Sequence, residues 1–233
     1  MARRTKEEAA VTREQLLDAA ECVFRERGVA GSTLAEVAAA AGVTRGAVYW
    51  HFRDKADLYA AMCERATLPL ETMVEAAGAA VHADPMAALR ELALTALLRL
   101  ASDPRSQAVF EVMFHKCERA DELAPVTARK QQERRRCLVH VERVLEQAVR
   151  KGQLPRDTDT ALATQALHAY IAGIMHEWVL DRAAFDLAGM APVLVDVILA
   201  GLRGAPPRRR PSRKRGPRAY VPGMPETRVI GTT

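Results

Sequence analysis

Aromatic residues make up only 5% of this chain. No segment alternates apolar and polar residues in the way that a half-buried strand requires. β-Branched residues are also few, whereas Ala and Leu dominate the 49% of residues that are hydrophobic. Because Ala and Leu lose little conformational freedom in a helix, the composition predicts an all-α protein of about nine helices with a sizeable core.

Cysteine is also scarce, and its positions do not form a metal site. The four residues are Cys22, Cys63, Cys117 and Cys137. They contain no Cys-x-x-Cys pair and no zinc-ligand spacing, and no group of histidines and carboxylates supplies one. The sequence therefore predicts reduced thiols, with no metal and no cofactor.

Motifs of catalysis are missing as well. The sequence has no phosphate-binding glycine loop, no Gly-x-Ser-x-Gly turn and no His-Glu-x-x-His pair. We therefore predict that the chain is not an enzyme and assign no catalytic residue.

Long apolar runs are absent too. Five of the first ten residues are charged, where a secretory leader has an apolar segment. The most apolar stretch, 161–180, is interrupted by polar and charged side chains, so we do not expect it to span a membrane. The sequence predicts a soluble cytoplasmic protein with no membrane partner.

The net charge of +5 comes from one end of the chain. Residues 204–233 contain eight Lys and Arg residues and a single acid, Glu226, so they carry +7 and leave −2 on residues 1–203. This segment is rich in Pro, Arg and Gly and has no apolar periodicity, which predicts a disordered basic tail. Such a tail attracts polyanions, and it leaves open a nonspecific DNA binder as one interpretation.

Capping residues divide the remaining chain into helices. Thr and Asp precede apolar segments of helical period, and Gly follows several of them. The predicted helices begin at the Thr12 capping box (ending at Gly28), Thr33 (ending at Gly42), Thr44 (to Phe52), Asp54 (towards Val81), Asp84-Pro85, Asp103-Pro104 (to about Cys117), Pro125 (to Lys151), Asp157 or Thr158 (to Leu180) and Pro192 (to Leu202).

The region 33–55 has the organisation of a helix-turn-helix. Two short amphipathic segments are joined by residues 41–44, where Gly42 can adopt the positive φ that a tight connection needs. Val48 and Phe52 are placed to hold the second segment against the first helix of the chain. These residues are predicted to build the scaffold and not to contact DNA.

The other side chains of this region suit the major groove of DNA. Arg45 at the start of the second segment can donate two hydrogen bonds to a guanine. Lys55 adds its charge to the N-terminal donors of the next helix, where a phosphate can bind. The predicted DNA-binding residues are Thr33, Thr44, Arg45, Gly46, Tyr49, His51 and Lys55.

Residues 42–58 resemble the signature of the tetracycline-repressor (TetR) family. Four further segments, 1–9, 114–118, 152–155 and 169–178, are similar to repressors of multidrug efflux pumps of the AcrR and TtgR type. The resemblance implies a ligand-responsive repressor that binds a palindromic operator as a homodimer, is released by hydrophobic drug-like compounds, and controls an RND-type efflux operon. A TetR-family regulator of a non-efflux pathway remains the alternative.

The resemblance also implies a division of the chain. Residues 1–54 would bind double-stranded operator DNA, residues 55–203 would bind the inducer and form the dimer, and residues 204–233 have no counterpart. The last two helices are the candidates for the dimer interface. Small residues there allow close approach and apolar residues need a partner; they are Ala169, Ala172, Gly173, Val193, Val197, Ile198 and Leu202.

The same resemblance implies the walls of an inducer cavity. On periodicity alone these side chains suit an ordinary core equally well, and Glu111 or His115 suits either a polar anchor or a solvent-facing position. The predicted ligand-binding residues are Leu70, Met73, Leu92, Ala96, Phe110, Glu111, Met113, Phe114, Cys137, Val141, His168, Ile171 and Met175.

Overall fold

Nine α-helices and one π-helix make up the part of the chain that the computed structural model describes, residues 2–116 and 123–209. This confirms the all-α prediction: within those two ranges the only β pairing is an isolated bridge. The helices are α1 (Ala2–Arg27), α2 (Leu34–Ala40), α3 (Arg45–His51), α4 (Lys55–Ala79), α5 (Pro85–Ser102), α6 (Pro104–Glu111), the π-helix (Val112–Lys116), α7 (Ala124–Arg150), α8 (Thr160–Leu180) and α9 (Leu187–Gly204).

Most of the predicted caps are present. At α2, the Glu36 amide donates to the Thr33 hydroxyl and the Thr33 amide donates to the Glu36 carboxylate at 2.8 Å, which is a complete capping box. The other predicted caps found are Thr44 for α3, Asp54 for α4, Asp84 for α5 and Asp103 for α6.

One predicted helix start near the N-terminus is wrong. The helix α1 passes straight through Thr12, whose hydroxyl donates back to the Glu8 carbonyl at 3.0 Å and therefore caps nothing. The helix predicted to reach about Cys117 is continuous to Lys116, as an α-helix to Glu111 and as the π-helix beyond it. Cys117 itself lies outside the described residues.

The starts of the last two helices are also corrected. Asp159, not Asp157 or Thr158, caps α8 by accepting the amide of the third residue along at 3.0 Å. The last helix begins five residues before Pro192, because Asp186 supplies a cap there. Pro192 therefore lies inside α9, where it removes one backbone donor.

Two hydrophobic cores lie along the molecule. The first, which we call the head core, joins α1–α4 to residues of α6, the π-helix and the start of α7, with Phe24, Leu58 and Val48 fully buried. The second, the body core, joins α5–α9, with Leu97 and Val195 among its fully buried side chains. The predicted scaffold roles of Val48 and Phe52 are confirmed, since both are buried in the head core.

The helices α4 and α7 run in the same direction in close contact. A Cβ atom on Gly78 would lie 2.5 Å from the Cβ of His140, so only glycine fits at this crossing. Nearer the head, the Lys130 ammonium donates to the Thr67 hydroxyl at 3.1 Å. This pairing fixes α7 alongside the long helix that leaves the DNA-reading corner.

The first residues after α9 are ordered against the α7–α8 loop. The Asp159 amide donates to the Pro207 carbonyl and the Arg209 amide to the Asp157 carbonyl, each at 2.8 Å, and Arg208 forms an ion pair with Asp157. The prediction of a tail disordered from residue 204 is therefore wrong for residues 204–209, whose backbone groups find partners in the protein. Residues 210–233 lie outside the described residues.

One face of α9 has no partner among the described residues, although Leu202, which was predicted to need an outside partner, is buried in the body core. Met190, Val193 and Val197 follow each other at helical spacing and are 50%, 65% and 57% exposed. Among the described residues α9 is the one helix long and apolar enough to cross a membrane by length and composition, with 28% of that stretch buried. This exposed apolar stripe is therefore a candidate contact surface.

Candidate nucleic-acid interface and ligand cavity

The corner between α2 and α3 holds α3 rigidly on the surface. Gly42 adopts φ 68°, a left-handed conformation that other residues resist. The Val43 amide donates to the Ala38 carbonyl at 3.0 Å, which closes the turn. Val48 is the only residue of α3 that is fully buried, so the remaining side chains of this helix are available to a partner.

Arg45 and Tyr49 form a pair one helical turn apart on the outer face of α3. The Arg45 guanidinium donates to the Tyr49 hydroxyl at 3.3 Å and lies 5.7 Å from the centre of its ring. The Tyr49 contact raises the pKa of Arg45, so the charge is retained. Gly46 beside them presents no side chain, and a Cβ there would meet only the Thr44 hydroxyl at 3.9 Å. The face is therefore cationic and open to close approach.

The two predicted threonines are engaged in helix caps. The Thr44 hydroxyl accepts the Ala47 amide at 3.3 Å, which leaves its own proton available to a phosphate. The Thr33 hydroxyl donates to the Glu36 carboxylate at 3.0 Å, and the Thr33 hydrogen bonds lower the pKa of Glu36. A phosphate at Thr33 would therefore have to displace this carboxylate.

Lys55 has a structural partner that the sequence does not reveal. Its ammonium donates to the Ala30 and Ser32 carbonyls, each at 3.0 Å, and so ties the start of α4 to the loop between α1 and α2. Its loss would disturb the head as well as any phosphate contact.

Four of the seven predicted DNA-binding residues lie together in one surface groove of about 520 Å³ between α2, α3 and the start of α4; they are Thr33, Arg45, Tyr49 and Lys55. Thr44, Gly46 and His51 lie outside it. The His51 ring packs at 4.6 Å, edge to face, against Trp50, and burial together with the nearby Arg13 charge lowers its pKa. His51 is therefore uncharged at neutral pH.

Two exposed residues were not among the predicted contacts. Trp50 is 71% exposed on α3, and the Arg53 side chain is 85% exposed at the groove. The position of Trp50 follows from the helical register of α3, whereas Arg53 lies two residues beyond the end of that helix. The sequence could therefore have predicted the exposure of Trp50 from its position in α3.

A cavity of about 500 Å³ lies between α4, α5, α6, the π-helix, α7 and α8. Its volume is in the range of drug-sized sites. Eleven of the thirteen predicted ligand-binding residues line it: Leu70, Leu92, Ala96, Phe110, Met113, Phe114, Cys137, Val141, His168, Ile171 and Met175. Phe110 and Phe114 stack with ring centres 5.5 Å apart.

Met73 and Glu111 do not line the cavity. Met73 is 37% exposed on the outer side of α4. The Glu111 carboxylate is bound outside it by Arg25 of α1 at 3.2 Å and by Arg182 of the α8–α9 loop at 3.0 Å. This carboxylate joins the head to the body, so we no longer assign it to the ligand.

The polar lining of the cavity was missed at the level of sequence. Helical steps back from Cys137 lead to Arg134 and Lys130, which line it from α7, while Glu71 lines it from α4. The run of charges on α7 is typical of a solvated helix face, and no local pattern separates its inward-facing members. Only their helical spacing from Cys137, itself a predicted cavity residue, indicates that Arg134 and Lys130 face the cavity.

Two cavity groups have shifted pKa values. Burial lowers the pKa of His168, and the nearby Arg134 charge lowers it further. Burial raises the pKa of the Cys137 thiol, as do the Glu71, Glu133 and Glu75 carboxylates. Both groups are therefore neutral at neutral pH, which suits an apolar binding site.

The cavity is directly connected to the head. Met113 and Phe114 of the π-helix line the cavity, and two residues later the Lys116 carbonyl accepts the Val29 amide at 3.1 Å. A second link joins α4 to α1, where the Arg65 guanidinium donates to the carboxylates of Glu14 and Asp18. A change of cavity shape can therefore reach the DNA-reading corner through two links, α4 and the π-helix.

An exposed cationic recognition helix and an apolar cavity on one chain define a helix-turn-helix regulator with a small-molecule site. Comparison with known proteins gives the family. Residues 16–62 match the family model described as bacterial regulatory proteins, tetR family, and residues 84–203 match the C-terminal region of MAATS-type transcriptional repressors.

Known relatives and solved structures are similar to this chain over most of its length. The regulator TtgR of Pseudomonas putida is 39% identical over 90% of this chain and 100% of its own length. NalD, described as the secondary repressor of the MexAB-OprM multidrug efflux pump in Pseudomonas aeruginosa, is 32% identical with a TM-score of 0.76, covering 84% of this chain and 97% of its own. SmeT, the Stenotrophomonas maltophilia efflux repressor solved with triclosan, is 35% identical with a TM-score of 0.73, covering 82% and 91%. The chain belongs to the TetR family of transcriptional regulators, which is not a family of enzymes.

Proposed function

We propose that this chain is a cytoplasmic, ligand-responsive repressor that binds a palindromic operator as a homodimer and controls a multidrug efflux operon of the RND type. Hydrophobic drug-like compounds release it from DNA. The observation that carries the proposal is the apolar cavity of about 500 Å³ joined to an exposed recognition helix by α4 and the π-helix.

The division of labour follows the two cores. Residues 1–54 bind DNA and residues 55–203 bind the ligand and the second subunit, while the basic residues that follow add nonspecific attraction to DNA. Arg45 reads base edges, held by Tyr49, and exposed Arg53 adds a phosphate contact. The ligand occupies the cavity among its Phe, Met and Leu side chains.

Dimerisation gives the exposed stripe of α9 a partner. A single helix-turn-helix buries too little surface for strong discrimination, whereas two copies read two half-sites. Small residues of α8, including the exposed Ala169 and Gly173, allow a second copy to approach closely. The second subunit, and not a lipid bilayer, covers Val193 and Val197.

The efflux assignment rests on the relatives. NalD and SmeT are each described as a repressor of a multidrug efflux pump, and SmeT was solved with triclosan. Together with the apolar cavity of this chain, these descriptions support a role in the same kind of circuit.

Fluorescence anisotropy tests the proposal. Labelled DNA from upstream of the gene and its neighbours is titrated with the full chain at physiological salt, with excess competitor DNA and with or without a panel of hydrophobic drugs. Wild-type protein should bind with competitor present and should be released by at least one drug. Arg45→Ala and Tyr49→Ala should each weaken specific binding by about tenfold or more, whereas Arg150→Ala, on α7, should not.

Each result has a distinct meaning. Binding that no drug releases would refute ligand-responsive control of an efflux operon while leaving a DNA-binding regulator. Binding that vanishes with competitor and ignores both α3 variants would assign DNA association to the basic tail and refute operator recognition by α3. Lys55 is not used as a test, since its loss also removes the bonds to Ala30 and Ser32.

A further inference from the structure

The polar wall of the cavity separates into two ends of opposite charge. At the end near Cys137, the carboxylates of Glu71, Glu133 and Glu75 act on the thiol, with Lys130 opposing them. At the end near His168, the charged group that acts on the imidazole is Arg134. Glu71, Lys130, Glu133 and Arg134 line the cavity and Glu75 does not, so a carboxylate of α4 lies at the Cys137 end and the Arg134 guanidinium at the His168 end.

The cations of α7 differ in what they bind. Lys130 forms an ion pair with Glu133 at 3.1 Å and donates to Thr67. Arg129 pairs with Glu133 and Glu64. Both charges are therefore already compensated by carboxylates of the protein.

Arg134 is different: it forms no ion pair or hydrogen bond with any residue in the described parts of the chain. Arg134 and His168 both line the cavity, and the Arg134 charge lowers the pKa of the His168 imidazole. Arg134 is an exposed residue of the cavity lining, so the five donors of its guanidinium remain available to a ligand.

We propose that the cavity selects hydrophobic ligands that carry an acidic group, a carboxylate or an acidic phenol, and that this group binds at Arg134 and His168. The inference rests on the ligand-binding function proposed above and names its chemical class. The aromatic body of the ligand lies among Phe110, Phe114 and Ile171, and repulsion from Glu71 keeps the acid away from the opposite end. Arg134 thus determines both charge preference and orientation.

Three naphthalenes of one size provide the test. The anion 2-naphthoate, the neutral 2-naphthamide and the cation 2-naphthylmethylammonium are titrated into the full chain by isothermal calorimetry. Naphthoate should bind about fivefold more tightly than naphthamide, near the upper end for a solvent-exposed charge pair. Arg134→Gln should abolish this ratio without changing the affinity for naphthamide. Arg136→Gln, an exposed change on the same helix outside the cavity, should preserve it.

A second readout uses the imidazole. His168 is neutral in the free protein, and a bound carboxylate raises its pKa, so naphthoate binding should take up a proton and tighten as the pH falls from about 8 to about 6. The charged groups around the cavity are Arg134, Lys130 and Glu133 on α7 and Glu71 on α4; α5, α6 and the π-helix contribute no titratable lining residue. His168→Gln should remove the proton uptake and keep the Arg134-dependent ratio.

The outcomes separate the two proposals. Equal affinities for the three probes, a preference for the cation, or no binding of any probe would overturn the selectivity for acids. So would an Arg136→Gln effect as large as that of Arg134→Gln, because the preference would then come from the general charge of α7. Release of the operator by a neutral drug in the same preparation would leave the repressor function standing in each of these cases.

Discussion

Removing Arg65 should loosen α1 from α4 within the head. Its guanidinium donates to Glu14 at 2.9 Å and Asp18 at 2.8 Å, and it also pairs with Glu21. The Arg65 and Glu21 side chains are only 12% and 10% exposed, whereas Glu14 and Asp18 are half exposed. The Glu21 contact is therefore the one whose loss leaves a charge without water or partner.

The magnitude follows from that asymmetry. Breaking one side of a fully buried ion pair costs about 3–5 kcal/mol, and the partial exposure of this cluster reduces the expected loss for Arg65→Met to about 2–3 kcal/mol at neutral pH. For a chain of this length the midpoint of thermal unfolding should fall by about 5–10 °C. Arg150→Met, which breaks an exposed pair with Glu146, should cost less than about 0.5 kcal/mol.

The pH dependence distinguishes this cause from lost packing. Burial raises the pKa of Glu21, and Arg65 opposes that rise. A raised folded-state pKa means that folding favours the protonated acid, so stability falls as the pH rises above the ordinary pKa of Glu. Loss of Arg65 raises the pKa of Glu21 further, and the deficit of Arg65→Met should therefore be larger at about pH 7.5 than at about pH 5.

Urea unfolding followed by far-UV circular dichroism at the two pH values measures this difference. Glu21→Gln in the Arg65→Met background should restore part of the stability at neutral pH, because it removes the uncompensated charge. An equal deficit at both pH values, with no restoration by Glu21→Gln, would refute the reasoning and assign the effect to lost packing of the arginine stem.

Three further changes test other parts of the structure. Gly78→Ala should lower the midpoint of thermal unfolding by several degrees, at roughly 2–4 °C per kcal/mol, because the new Cβ would lie 2.5 Å from that of His140; an unchanged midpoint would mean that α4 and α7 separate easily. Val197→Glu should convert the dimer to a monomer in light scattering, and a persisting dimer would place the interface elsewhere. Gly42→Ala should cost about 1 kcal/mol in urea unfolding, because φ is 68° there; no loss would argue against strain at the turn.

Local chemistry explains what could be predicted from the sequence. The cap at Thr33 depends on residues within one turn, and it is present as predicted. Thr12 has the same pattern but lies inside α1, because the residues before it continue the helix and satisfy the amides that a cap would serve. The role of Lys55 depends on carbonyls more than twenty residues away, which no local pattern contains.

The cavity shows the same limit at a larger scale. Its apolar walls follow from helical periodicity together with the family resemblance, and eleven of the thirteen predicted residues lie there. The charges that line the cavity do not follow from periodicity, because α7 carries a run of similar cations. Only their partners in the folded chain distinguish them. Lys130 finds Glu133 and Thr67, whereas Arg134 faces His168 and no carboxylate of the described chain.

The connection between cavity and head constrains how induction works. A ligand shifts the equilibrium between DNA-binding and released forms only by its difference in affinity for the two. Met113 and Phe114 line the cavity two or three residues from the Lys116 carbonyl, which binds the Val29 amide of the head. Because a π-helix has an extra residue in its turn, a small change in its winding would move Met113, Phe114 and this carbonyl together. The ligand contacts that differ most between the two forms should therefore be those with Met113 and Phe114, while Leu92 and Ala96 of α5 bind it equally in both.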